Sequence, residues 1–145
     1  GYRVEADGAV FILATDSEFD QIAINKDELK NNHLAKREYG DDVLEFLSGA
    51  NLIAIDTQYT DSVYPLRVGW GHNSIATVVD LCNQVKPDMV AMCHHDPQSS
   101  DRMVSNMSDD AAKRLKRDGS DTLVFAAREG LTVKAHRPKP PPALN

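Results

Sequence analysis

The sequence is poor in cysteine, with two thiols in 145 residues. Cys82 and Cys93 both lie among apolar neighbours. A disulfide scaffold is therefore not expected, and a reducing, cytoplasmic location fits best. Long apolar runs are also missing. None approaches the roughly 18 to 20 residues of a membrane helix. No charged segment followed by an apolar core opens the chain, so no signal peptide is expected. Basic charge is in deficit: 16 Lys and Arg stand against 22 Asp and Glu, a formal charge of −6. That balance weighs against non-specific binding of nucleic acid or anionic membrane.

What is present is the composition of a folded globular domain, 41% apolar and 26% charged. The length suits one domain or part of a larger one. Two β-prone runs, 2–6 and 9–14, flank Asp7-Gly8, a strong hairpin signal. The second run is apolar throughout and reads as a strand buried on both faces. Residues 17–40 are polar without a clear period, which predicts a loop with at most one helical turn and one rim of a pocket. Helices are expected over 41–48, 74–85 and from Ser99 or Ser100 to about Arg117. Gly49 and Gly119 stop the first and last of these. Strands are expected at 52–56, 89–93 and 122–126. Strands alternating with helices after residue 50 mean βαβ units and a mainly parallel sheet. The tail 137–145, with Pro138, Pro140, Pro141 and Pro142, reads as a linker.

Three strands end in a residue able to bind a ligand: Asp16, Asp56 and His94. In an open α/β sheet, ligands bind beyond the carboxyl ends of the strands. His72 adds a fourth candidate, placed just before a helix whose free N–H groups favour an anion. Each residue alone has a plain explanation as a turn cap or a packing side chain. Together, carboxylate and imidazole at clustered strand ends are the donors a divalent metal needs. Trp70, between Gly69 and Gly71, is expected to pack its loop against the sheet rather than stack on a base. His33 is expected to be solvated. Lys113, Arg114, Lys116 and Arg117 are expected to complement a helix dipole.

Five motifs occur in order: Ala14-Thr15-Asp16-Ser17-Glu18; Leu52 to Tyr59, ending Asp56-Thr57-Gln58-Tyr59; Gly69-Trp70-Gly71-His72-Asn73-Ser74; Cys93-His94-His95-Asp96-Pro97; and Ala126-Ala127-Arg128-Glu129-Gly130. This series resembles the C-terminal half of a metallo-β-lactamase-fold hydrolase, nearest the ribonuclease Z and cyclic-nucleotide phosphodiesterase branch. The resemblance spans about residues 1–135, with 1–136 as the half-domain. It implies an α/β fold, half of an αββα sandwich with a mixed sheet and about three helices. It implies Asp16 and His94 as metal ligands. His72 is implied as a catalytic group that contacts the scissile phosphate or shuttles a proton, and Asp56 as the acid that orients a histidine. His95 and Asp96 belong to the motif without being ligands. Asn73 stands where many relatives carry Ser or Thr, beside the phosphate.

The implied cofactors are two divalent ions, zinc first and manganese second. The implied reaction is hydrolysis of a phosphodiester, in a nucleotide, RNA or a small ester, by water activated between two metals. The family's His-x-His-x-Asp-His motif is missing, since no two of His33, His72, His94, His95 and His136 are separated by one residue. Half a sandwich would expose an apolar sheet face. The expected partner is therefore the missing N-terminal half or a homo-oligomer mate. Two alternatives stand beside this reading: a metallo-β-lactamase-like scaffold without metals, and a doubly wound regulatory domain of the receiver type.

Overall fold

The structure is a computed structural model and describes residues 1–135. His136 and the expected Pro-rich tail lie outside the described residues. The fold is α/β. In chain order the elements are β1 (Tyr2–Ala6), β2 (Ala9–Ala14), α1 (Lys26–Asn31), α2 (Asp41–Leu47), β3 (Leu52–Asp56), α3 (Ile75–Val85), β4 (Met89–Cys93), α4 (Asp101–Arg117) and β5 (Leu123–Ala126). Short 3-10 turns cover Phe19–Ile22 and Tyr64–Leu66.

The five strands form one mixed sheet in the order β1-β2-β3-β4-β5. β1 and β2 are antiparallel, and every later pair is parallel. Asp7 and Gly8, at φ 52° and 76°, close the hairpin, as a two-residue turn with positive φ at both positions requires. Ser74 and Ser100 cap α3 and α4, their hydroxyls accepting from Thr77 N and Met103 N. The choice between Ser99 and Ser100 thus falls to Ser100.

The strand order has a consequence for the layers. Parallel crossovers are right-handed, so strands added in one direction put every crossover helix on one face. Register shows which face. Ile12, Ile53, Val90 and Val124 are cross-strand neighbours, as are Ala14, Ile55 and Met92. These residues form the core with Leu47, with Val78, Val79 and Cys82 of α3, and with Met107, Ala111 and Leu115 of α4. The alternate rows run Phe11–Leu52–Met89–Leu123 and Leu13–Ala54–Ala91–Phe125, with Val4 beside Phe11 and Tyr2 beside Leu13. Tyr2, Val4 and Leu123 are 72%, 50% and 58% exposed. β2 is therefore not buried on both faces: Ile12 and Ala14 are buried, and its other residues are half-covered. A doubly wound fold needs a reversal in strand order. The sequential order excludes the receiver-type alternative.

The stretch 17–40 is more ordered than its polarity suggests. It holds a fourth helix, α1, built on Lys-Asp-Glu-Leu-Lys-Asn with Lys30 paired to Asp27. Only Leu29 of that helix is buried, so no apolar period marks it in the sequence. Phe19, Ala23 and Tyr39 enter the core. Arg37 is buried between Asp20 and Asp80, donating from Nε and Nη2 to both Asp20 oxygens at 3.0 Å. A fully desolvated guanidinium persists only with such paired acceptors.

Candidate functional site

Asp16 follows β2, Asp56 ends β3 and His94 follows β4, so the parallel register brings three strand ends side by side. Asp16 and His94 both adopt left-handed backbone, at φ 49° and 55°. Such conformations cost on the order of 1 kcal/mol or more each and concentrate where a side chain must be aimed. His72 reaches the same point from the segment before α3. One ligand atom from each of Asp16, Asp56, His72 and His94 lies within 4.8 Å of all the others.

Asp56 is the hub. It is wholly buried, and its Oδ2 meets His94 Nδ1 at 2.7 Å and His72 Nδ1 at 2.8 Å and accepts from Asp16 N at 3.2 Å. A carboxylate only accepts, so both imidazoles donate from Nδ1. That leaves both Nε2 atoms for the site. His94 Nε2 stands 3.4 Å from Asp16 Oδ1. The two imidazole rings lie 4.8 Å apart, and the buried Tyr59 packs edge-on against His72 at 5.9 Å. Neutral His94 and ionised Asp16 would face each other with lone pairs alone. A cation or a proton between them relieves that repulsion. The donor set, one exposed carboxylate and imidazole Nε2 atoms with their Nδ1 atoms held by a second carboxylate, fits a divalent ion in chemistry and in support.

Other expectations at the site change. Several backbone N–H groups near His72 are already engaged by the chain's own carboxylates. Ala76 N at the start of α3 donates to Asp61 Oδ1 at 2.8 Å, and Gly69 N and Gly71 N donate to Glu18. The chain supplies its own carboxylates where a phosphate was expected. Asn73 ties neighbouring segments together. It is wholly buried, its Oδ1 accepting from Phe19 N at 2.8 Å and its Nδ2 donating to Ser17 O and Asp56 O at 2.7 and 2.9 Å. Trp70 does not pack against the sheet. It is 61% exposed, with the Arg67 guanidinium 4.4 Å from its ring centre.

His95 takes no part in the four-residue cluster's hydrogen bonds. Burial holds its pKa below the usual value, against the neighbouring backbone groups of Thr57, Ala127 and Met92, which act to raise it. Asp96 builds the turn, its Oδ1 accepting from Gln98 N. Of the basic cluster, Arg114 donates to Asp61 and Asp110, while Lys116 and Arg117 stand in the last turn of α4. Cys82 and Cys93 are free thiols. No described helix is long and apolar enough to cross a membrane.

No family model matches the chain, and neither does any curated protein or solved structure.

Proposed function

We propose that this chain carries one half of the active site of a metal-dependent hydrolase of the metallo-β-lactamase type, acting on phosphodiesters. The observation behind this reading is the shared oxygen Asp56 Oδ2, which holds two imidazoles by Nδ1, with His94 Nε2 beside Asp16 Oδ1. Asp16 and His94 Nε2 would hold the metal, zinc first and manganese second, as imidazole with carboxylate suits those ions. When bound, two such ions supply a water activated near neutral pH and positive charge for the phosphoryl oxygens.

The chain's own residues account for the rest. Asp56 fixes tautomer and aim of both histidines. Protonated His72 keeps Nδ1–H on Asp56 and offers Nε2–H to the leaving oxygen. Two direct donors are fewer than the three protein ligands usual per catalytic zinc. The remaining donors are assigned to a second layer packed on the sheet face opposite the helices, from an upstream half-domain or a second copy.

Hydrolysis of bis(p-nitrophenyl) phosphate with added zinc or manganese tests the reading. Metal-dependent turnover that His72→Ala abolishes, with metal uptake retained, supports it. Absence of both metal uptake and turnover, even after the sheet face has found its partner, favours the metal-free scaffold alternative.

A further inference from the structure

Glu18 is a buried carboxylate, 8% exposed, outside the four-residue cluster. Its oxygens are met by N–H and O–H donors. Oε1 accepts from Tyr64 Oη at 2.8 Å, from Gly69 N at 2.9 Å and from Gln21 Nε2 at 3.2 Å. Oε2 accepts from Gly69 N and Gly71 N, both at 3.0 Å. Gly69 and Gly71 sit at φ 85° and 91°, where a side chain is disfavoured. That backbone turns two alternate amides to one side, the concave arrangement that takes an anion. Here the anion is a side chain two residues after Asp16, and the residue after the second amide is His72.

We propose that Glu18 is a positioning residue for His72. By fixing the Gly69–Gly71 loop to the Asp16 turn, it sets the distance at which His72 Nδ1 meets Asp56. The proposal rests on the reading of His72 as a catalytic group, but its geometry stands without metal or substrate. Asn73 provides a separate tie between the same segments, from Phe19 N and to Ser17 O. Loss of Glu18 therefore frees the loop while the segments stay attached. His94 reaches Asp56 from β4 and owes nothing to Glu18.

The test is histidine-ring NMR of the metal-free chain at fixed pH, comparing the natural protein with Glu18→Gln. The glutamine keeps the size but replaces one acceptor oxygen with an N–H₂ facing the loop amides. In the natural protein both His72 and His94 should show the Nδ1–H tautomer, and His72 should show contacts to the Tyr59 ring. In Glu18→Gln, His72 should lose both features while His94 keeps its tautomer. A folded variant with His72 unchanged overturns the proposal. If the variant does not fold, amide exchange in the natural protein decides. Gly69 and Gly71 N–H should exchange roughly 100-fold or more slowly than free peptide, as closed hydrogen bonds do. Free-peptide rates there overturn the proposal. Zinc uptake plays no part in either readout, so failure of the hydrolase reading and failure of this proposal give different results.

Discussion

His72 and His94 point their Nδ1 atoms at the same oxygen, Asp56 Oδ2, at 2.8 and 2.7 Å. One buried carboxylate thus sets the orientation of two imidazoles that come from segments 22 residues apart in the sequence (94 − 72).

Asp56→Asn tests that hub. The amide keeps the shape but presents an N–H₂ group that either imidazole must avoid. Groups that support a metal-ligating histidine typically contribute 10- to 100-fold in affinity, and a loss of about that size is expected here. Zinc titration by calorimetry measures it, and an affinity within about twofold of the natural protein contradicts the hub role.

Asn73→Ala should cost stability more than chemistry. It strands the buried Phe19 N–H and removes donors from two carbonyls. An unsatisfied buried group costs about 1–3 kcal/mol, so the sum should be about 3 kcal/mol. Urea unfolding reads this directly, and a loss below about 0.5 kcal/mol would place Asn73 among ordinary surface substitutions.

The fold should weaken at alkaline pH. Burial pushes the Cys82 thiol up to about 12 and the Cys93 thiol up to about 11, from an ordinary value of 9.0. Burial also raises the Tyr39 and Tyr64 hydroxyls. The folded state holds these protons more tightly than the unfolded chain. Their contribution is complete below the unfolded values and is lost as pH rises toward the folded ones. Above pH 9 the buried Cys82 alone should remove about 1.4 kcal/mol per pH unit. The urea midpoint should therefore fall between pH 9 and 10.5, and a flat midpoint contradicts the burial of these groups.

The sheet face opposite the helices, exposed at Tyr2, Val4 and Leu123 but buried at Leu52 and Ala91, should bind a hydrophobic dye. Val4→Lys with Leu123→Lys places charge on two of its exposed positions, one on each edge strand. Dye binding and self-association should drop while stability changes by no more than about 1 kcal/mol, the scale of two surface substitutions. Equal dye binding by both proteins would contradict an exposed apolar patch at this face.

Much of the frame was legible because local signals agreed. Asp7-Gly8 specified the hairpin, and Ser74 with an apolar period specified α3. The strand ends named Asp16, Asp56 and His94 as neighbours before any coordinates, since parallel strands align their carboxyl ends. The remainder depended on contacts distant in sequence. Arg37 reads as a solvated residue until Asp20 and Asp80 are seen around it. Glu18 lies in the Ala14–Glu18 motif with no role visible from sequence, because its partners Gly69 and Gly71 are more than 50 residues away. Trp70 misled for a related reason. Glycines on both sides suggest a packed loop, whereas Glu18 takes the amides and leaves the indole outside beneath Arg67.

Asp16 and His94 are the proposed ligands of a divalent metal. Elemental analysis of the purified chain, beside an Asp16→Ala/His94→Ala double variant, tests this assignment most directly. Zinc or manganese is expected in near-stoichiometric amount in the natural chain, with its loss in the variant. Equal metal content in the two proteins, or none in either after equilibration with zinc, would contradict it.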